Sequence, residues 1–215
     1  GVFKLIGQSA AVNYFIRKTQ ANWIAKYQPE VWQNTAKYLL LSGFLTYRLT
    51  GQYKDSIGCN VGYLPFNYRK LAWADRLDWK WHTSAITRDM LPDLVEPGEK
   101  LGQISPAAAK LTGIPEGLSL VAAASDKACE VLGSGCTTAD VASLSYGTTA
   151  TINTNNHKYV EPLSFIPPFP SAIPRQYNCE VMIYRGFWMV SWFKHQFGQR
   201  EQLRAKELGV SPESL

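Results

Sequence analysis

The segment LSLVAAASDKACEVLGSG, residues 118–135, carries the strongest fold signal in the chain. Its apolar run, residues 118–124, is typical of a strand that is buried on both faces. Ser125 and Asp126 end this strand and begin a helix over residues 127–132, and residues 133–135 end that helix at a domain boundary. A strand that leads into a helix predicts an α/β fold, in which ligands bind at the carboxyl ends of the strands.

Asp126 stands at this strand-to-helix junction and is a candidate catalytic residue. A carboxylate placed there can accept a proton from a substrate hydroxyl group, as an Asp does in phosphoryl transfer. The alternative is that Asp126 is only the N-cap of the helix, a position that Asp favours. Taken alone, the pattern favours the cap.

A second candidate site follows at SLSYGTT, residues 143–149. Strands are predicted over residues 140–145 and 149–154, with a tight glycine turn between them. Backbone N–H groups and threonine hydroxyls in such a turn can approach phosphate oxygens. The alternative is a hairpin turn that needs glycine only for its backbone conformation. The chain contains no Walker A, GxGxxG or GxSxG pattern, which disfavours P-loop, Rossmann and α/β-hydrolase folds.

The first 50 residues are predicted to be mostly helical. Apolar residues recur at three- and four-residue steps over residues 14–33, with a break at Pro29. A further helix is predicted over residues 43–50, with Ser42 as its cap and Gly51 just past its end. The apolar run between these helices, residues 38–41, is typical of a buried strand or a tight connector.

Residues 52–82 are rich in Tyr, Phe and Trp, which can line a sugar site but more often form a core. A further helix is predicted over residues 105–111, with Ser105 as its N-cap and Gly113 ending it. The remaining predicted elements are a proline-rich irregular loop over 162–174, a strand over 181–184, and helices over 186–197 and 202–208.

Composition sets broad limits on the class of protein. The 215 residues have 46% hydrophobic content and a net charge of +5, which fits one ordinary globular domain or two small ones. Lys and Arg do not cluster, so nucleic-acid binding is disfavoured, and no apolar run reaches the roughly 18 residues of a membrane span. The four cysteines and three histidines are isolated, so no metal ligand is assigned, and we expect free thiols in a reducing cytoplasm.

The two candidate sites, in this order and about twenty residues apart, resemble those of the FGGY family of carbohydrate kinases, which includes xylulokinase- and glycerol kinase-like enzymes. SDKACEVLGSG (125–135) is similar to the family's catalytic GDxxAxxxGxG segment, and SYGTT (145–149) to its SxGTS phosphate motif. The family's PEV…K…YL…RLTG block is matched upstream by PEVW (29–32), YLLL (38–41) and FLTYRLTG (44–51). An Asp-Ser pair at Asp55 comes after this block, as it does in the family. Downstream, residues 186–193 resemble the family's GG…W helix.

The resemblance implies a partial actin-like ATPase (ribonuclease H-like) fold and a role for each matched residue. Asp126 would be the general base toward a sugar or polyol hydroxyl, and Gly147, Thr148 and Thr149 would contact the phosphates of ATP. Lys127, where relatives often have Gln or Asn, and Asp55 would lie on the substrate side. ATP and Mg²⁺ are the implied cofactors.

The resemblance also implies that residues 1–135 are the later part of the sugar-binding domain and that residues 136–215 begin the ATP-binding domain. Three departures accompany it: Thr149 replaces a commoner Ser, Arg185 stands where relatives have Gly, and the family's opening Asp-Gly-Thr and closing adenosine-binding motifs are absent. We therefore expect a truncated kinase that is inactive alone and whose exposed apolar surface promotes association of copies. The alternative is a non-catalytic sugar-binding or interaction domain that keeps the fold.

Overall fold

The computed structural model describes residues 9–60, 62–163 and 166–215. Residues 1–8, which hold part of the segment searched for an N-terminal phosphate motif, lie outside these ranges. Within the described ranges, no helix is long and apolar enough to cross a membrane.

Short helices occupy the start of the described chain, as the periodicity predicts, with Pro29 in the first turn of the third. They are α1 Ser9–Lys18, α2 Gln20–Tyr27, α3 Pro29–Gln33 and α4 Leu41–Thr50. Gly51 follows α4 in the left-handed conformation, as predicted. The predicted Ser42 cap is wrong: Leu40 is the N-cap residue, and the Ser42 hydroxyl instead donates to the Asp55 carboxylate. The connector before α4 is extended and forms no strand with the rest of the described chain.

The middle of the chain forms small sheets. Their strands are β1 Lys54–Ser56, β2 Phe66–Asn67, β3 Ala72–Trp73, β4 Asp93–Val95, β5 Lys100–Gln103 and β6 Ser119–Val121. β1 pairs in parallel with β4, whereas β2–β3 and β5–β6 are antiparallel. Helix α5 Pro106–Thr112 connects β5 to β6 and has the predicted Ser105 cap, whose hydroxyl accepts from the Ala108 N–H group at 3.2 Å.

The strand prediction over residues 118–124 is correct in type but wrong in burial. β6 covers three residues, and Leu118 and Val121 are each 53% exposed. In the described chain β6 pairs with β5 alone, and none of its three residues is fully buried, so the apolar run does not form a strand that is buried on both faces.

A hydrophobic core fills the first part of the molecule and includes aromatic residues from the 52–82 segment. Phe66 and Trp73 are buried and meet edge to face with ring centroids 5.8 Å apart. Tyr68 and Trp81 pack against this cluster. These residues therefore belong to the core, the commoner of the two interpretations of the aromatic segment.

Helix α6 Asp126–Gly133 leads into a four-stranded sheet of order β7–β8–β10–β9. Its strands are β7 Ser143–Tyr146, β8 Ala150–Asn156, β9 Phe169–Pro170 and β10 Tyr177–Ile183, and two helices follow, α7 Trp188–Phe197 and α8 Gln199–Leu208. The predicted hairpin is confirmed, since β7 and β8 pair antiparallel across the turn. Two contacts tie the sheet to the first part: the Tyr177 hydroxyl donates to the Arg69 carbonyl at 2.7 Å, and the rings of Phe169 and Tyr68 meet edge to face with centroids 6.2 Å apart.

Candidate active site

The structure excludes the interpretation of Asp126 as an N-cap. Ser125 is the N-cap residue of α6, and its hydroxyl accepts from the Ala128 N–H group at 3.4 Å. Asp126 occupies the first helical position, is exposed, and accepts from the adjacent Lys127 N–H group at 2.7 Å. Asp126 is therefore not the N-cap, and its carboxylate is open to a bound molecule.

The loop after β1 fixes the start of this helix. The Gly58 carbonyl accepts from the Ser125 N–H group at 2.9 Å, and the Ser56 hydroxyl donates to the Ala123 carbonyl. A Cβ at position 58 would lie 2.6 Å from the Cβ of Ala124, so only glycine lets the two segments approach this closely. This contact brings the loop after β1 and the helix that begins at Asp126 together, which no local sequence pattern indicated.

Asp55 lies on β1, just before this loop, and is 2% exposed. Its carboxylate accepts from the Ser42 hydroxyl, near the start of α4, and from the Ser56 N–H group, both at 2.8 Å. Burial raises the pKa of Asp55, although these two hydrogen bonds oppose the rise. In this conformation the side chain holds β1 against α4 and is buried from solvent.

Cys59 lies in the same buried region. Burial, together with the negative charge of Asp55, raises the pKa of the Cys59 thiol to about 11. Cys129, on α6, is exposed, and its charge adds to this effect. All four cysteines are free thiols, as expected.

Lys127 follows Asp126 in the first turn of α6. Its ammonium nitrogen lies 2.6 Å from a carboxylate oxygen of Glu130, one turn along the helix. The same ammonium attracts Glu180 on β10. One of the three donors of Lys127 is thereby used within the protein.

The turn at Gly147–Thr149 joins β7 to β8 and carries exposed Gly147 and Thr148. The Gly147 carbonyl accepts from the Phe187 N–H group at 2.8 Å, just before α7 begins. A Cβ at position 186 would lie 1.8 Å from that same carbonyl oxygen and 2.6 Å from the Thr148 carbonyl oxygen. Gly186 thus lets the loop before α7 close directly onto the turn, although Arg185 replaces the first glycine of the usual pair.

This arrangement fits the phosphates of a nucleotide. Gly147 and Thr148 are exposed at the turn, the Gly147 N–H group donates to the Thr149 carbonyl at 2.9 Å, and the N-terminus of α7 lies beside the turn, where anions are favoured. Among the described residues, no three His, Cys, Asp or Glu side chains gather to hold a metal. Mg²⁺ in sites that bind nucleotides is often held largely by the phosphates themselves.

Sequence reasoning did not identify Gly58 or Glu130 as site residues. Gly58 has no signal in the local pattern, because its role depends on a segment far along the chain. The position of Glu130 could have been inferred from the sequence, because it lies four residues after Asp126 and therefore on the same side of α6.

The small parallel and antiparallel sheets, the helix that begins at Asp126 and the glycine turn form part of an actin-like ATPase fold. The sequence model of the FGGY family of carbohydrate kinases, N-terminal domain, matches residues 8–133, and this chain belongs to that family.

Individual relatives agree with this assignment. The chain is 36% identical over 175 residues to an uncharacterized sugar kinase, YgcE, of Escherichia coli, covering 81% of this chain and 35% of the relative. It is 25% identical over 171 residues to the xylulose kinase of the same organism, covering 79% of this chain and 34% of that relative. The ligand-bound xylulose kinase from Lactobacillus acidophilus superimposes with a TM-score of 0.72 at 20% identity, covering 98% of this chain and 42% of that structure. The chain thus spans about a third of the length of the relatives it matches.

Proposed function

We propose that this chain supplies the substrate side and the first ATP-side segments of a kinase that transfers the γ-phosphate of ATP to a hydroxyl group of a sugar or polyol. The observation that supports this most directly is the position of Asp126, exposed in the first turn of α6 and relieved of capping by Ser125. A residue that the helix does not need for capping is available for chemistry.

In this proposal Asp126 is the general base. Its carboxylate accepts the proton of the acceptor hydroxyl as that oxygen attacks the γ-phosphorus atom, and the bond to the β–γ bridging oxygen breaks. Gly147, Thr148 and Thr149 hold the phosphates through N–H and hydroxyl donors, which stabilises the charge on the transferred group. Bound Mg²⁺ would supply further charge neutralisation at the phosphates.

The proposed substrate side contains Lys127 and Asp55. Lys127 keeps two ammonium donors beyond the one that Glu130 accepts, and these can reach a sugar hydroxyl. Asp55 contributes indirectly. Its hydrogen bond to Ser42 holds β1 against α4, and the loop that follows β1 contacts the start of α6. The sugar itself is not selected by these contacts.

The proposed two-part division near residue 135 is supported by the family match, which ends at residue 133. Because the chain matches only about a third of the length of these relatives, we propose that activity belongs to a protein of their length and that the 215-residue chain alone does not turn over. Phosphorylation of a sugar by the purified chain would contradict this. The expected cytoplasmic location and association of copies stay predictions.

A second candidate function is sugar binding without catalysis. The engagement of Lys127 by Glu130 favours it, because an ion-paired lysine at this position contacts substrate less freely than the Gln or Asn of relatives. The two candidates differ in whether Asp126 transfers a proton.

The test is Asp126→Asn in the kinase of full length, after a screen of sugars and polyols has found the acceptor. We expect kcat to fall by about a hundred- to ten-thousand-fold, the usual contribution of a general base, with sugar binding retained. Asp75→Asn is the matched control, because Asp75 is an exposed carboxylate that forms a surface ion pair with Lys70. Unchanged kinase activity in Asp126→Asn would remove the enzymatic proposal and leave sugar binding.

A further inference from the structure

The second part of the chain, the described residues from 136 onward, docks onto the first through a joint centred on Arg69. The Tyr177 hydroxyl, at the start of β10, donates to the Arg69 carbonyl at 2.7 Å. The Arg69 guanidinium lies over the ring of Tyr159, 4.2 Å from its centroid, and the rings of Tyr159 and Tyr177 meet edge to face at 5.6 Å. Tyr177 also packs against the hydrophobic core of the first part. The second part thus holds both the main chain and the side chain of Arg69.

Neighbouring contacts extend this joint to the start of α6. Strand β9 pairs with the start of β10 and lies against the turn at Ile57–Cys59. The ring of Phe169 on β9 meets the ring of Tyr68 edge to face at 6.2 Å. Within the turn, the Gly58 carbonyl accepts from the Ser125 N–H group at 2.9 Å. The joint therefore adjoins the loop that fixes the first residues of α6.

The joint and the phosphate turn lie at opposite ends of the same sheet. In the pairing of β10 with β8, Tyr177 faces Asn156, whereas Ile183 faces Ala150, the residue that follows the turn. A strand rises about 3.4 Å per residue, so the distance along β10 from Tyr177 to Ile183 is about 20 Å. A rotation of the sheet by about 5° about the joint moves the turn by about 2 Å.

The covalent connection between the two parts meets the sheet at the end that the joint holds. Asn155 on β8 pairs with Asn178 on β10, which is next to Tyr177. The amide of Asn155 donates to the carbonyl of Cys136, just after the end of α6. The chain connection and the joint are therefore close together, and the phosphate turn is carried at the far end of the sheet.

We propose that the joint of Arg69, Tyr159 and Tyr177 is the pivot on which this sheet carries the phosphate turn relative to the Asp126 helix, and that Arg69 and Tyr177 are positioning residues for the transfer. The proposal rests on the proposed function, because the joint sets the distance between base and phosphate. A misplacement of about 1 Å between reacting groups can lower a rate about a hundredfold, so small changes at the joint are expected to be felt at the turn.

The first test measures movement and does not depend on activity. Spin labels are attached at Leu111→Cys on α5 and Tyr146→Cys on β7, both exposed positions, in the 215-residue chain with its four native cysteines replaced by alanine. Double electron–electron resonance then gives the distribution of distances between the labels, with and without Tyr177→Phe. This substitution removes the hydroxyl donor and keeps the ring. The distribution is expected to widen about twofold, because the sheet loses an attachment at its pivot.

The matched control moves the second label to the near end of the sheet. Val160→Cys, beside Tyr159 and exposed, is paired with Leu111→Cys. A pivot moves the near end less than the far end, so Tyr177→Phe is expected to widen this distribution by less than about half as much. Equal widening at the two positions would show detachment instead of rotation, and an unchanged distribution at position 146 would show that the hydroxyl does not hold the sheet. Either result overturns the proposal.

The second test is kinetic and uses the full-length kinase with its native cysteines, so it decides the proposal even where the cysteine-free chain does not fold. Arg69→Met is expected to lower kcat about tenfold while KM for the sugar stays within about twofold. Arg69→Lys keeps a cation over the Tyr159 ring and is expected to restore most of the rate. A rise in KM alone, or no recovery with lysine, would contradict positioning.

Arg48→Met is the control for the kinetic test. The Arg48 guanidinium also lies over an aromatic ring, that of Phe44 on the same helix, at 5.9 Å from the centroid. Its kcat is expected to stay at the level of the unmodified kinase. If Asp126→Asn leaves activity unchanged, the proposed function fails while the label distances still decide the pivot. If Asp126→Asn is inactive and the joint variants change neither distances nor kcat, the pivot alone fails.

Discussion

The two parts of this molecule bury different kinds of surface. In residues 9–133, apolar side chains such as Phe66 and Ile86 form a closed core. In the described residues from 136 onward, the buried face of the sheet is polar, with Asn153, Asn155 and Asn178 all at most 2% exposed. The first part is thus stabilised mainly by apolar burial. The second depends more on its strand ladder, because the buried side-chain oxygens of Asn153 and Asn178 accept no hydrogen bond from the described residues.

The outer face of the second part shows the opposite pattern. Leu144, Ile152 and Val181 lie side by side in register across β7, β8 and β10, and all three are exposed. Helix α7, next along the chain, contains no buried residue. Apolar side chains therefore contribute far less to folding stability here than in the first part.

Truncating one phenylalanine in each part should show this difference most strongly. Phe66 is 1% exposed, and Phe66→Ala is expected to lower the free energy of unfolding by about 3–5 kcal/mol, because it leaves a cavity among packed rings. Phe193 on α7 is 59% exposed, and Phe193→Ala should cost less than about 1 kcal/mol. Urea unfolding followed by tryptophan fluorescence measures both. Equal losses would show that α7 is covered in solution and that the comparison is wrong.

A smaller effect is expected where the second part is packed most closely. Gly186→Ala places a Cβ against the backbone of Gly147 and Thr148, which cannot move aside as a side chain can. We expect a loss of about 1–3 kcal/mol in stability and a displaced phosphate turn. Thermal unfolding measures the first, and the KM for ATP of the full-length kinase measures the second.

Gly133→Ala is the control for that substitution. Gly133 ends α6, and a Cβ there would have no atom within 4 Å. Its stability should stay within about 0.5 kcal/mol of the unmodified chain. If both variants behave alike, the close approach at Gly186 does not hold the turn in place.

The features that sequence predicted correctly are those decided by neighbouring residues. Ser105 caps α5 and Gly113 ends it, because a cap and a left-handed residue act within one helical turn. Ser42 was predicted as a cap and is not one, because the buried Asp55 carboxylate competes for its hydroxyl. The exposure of β6 was missed for a related reason: burial of a strand depends on which elements cover it, and an apolar run does not contain that information.

The same distinction applies to the candidate site. Asp126 and the Gly147–Thr149 turn were identified from motifs, because their chemistry requires particular residue types in sequence order. Two close approaches could not be identified in this way, because each joins segments far apart in the chain. They are Gly58 against Ala124 and Gly186 against Gly147. Such contacts fix the geometry on which the proposed transfer depends.

The smallest effect concerns the pH dependence of the first part. The pKa of Cys59 is raised from 9.0 to about 11, so the thiol ionises in the unfolded chain before it ionises in the folded one. The unfolded state then holds fewer protons than the folded state, and stability falls as pH rises from about 9 toward 11. For this half-buried thiol we expect a loss of about 1 kcal/mol between pH 8.5 and 10.

Cys59→Ala should remove that loss, giving a flatter dependence of unfolding free energy on pH. Cys129→Ala is the control, because Cys129 is exposed. Tyr68 and Tyr159, whose pKa values are raised from 10.0 to about 12, also begin to lower stability as the pH approaches 10. Their effect is the same in the unmodified chain and in each cysteine variant, so the difference between the two curves isolates the thiol. Cys179, in the second part, also has a raised pKa, and Cys179→Ala should flatten the curve less, because its rise is smaller than that of Cys59. An equal flattening by Cys179→Ala would show that the second part excludes water from its thiol as well as the first part does.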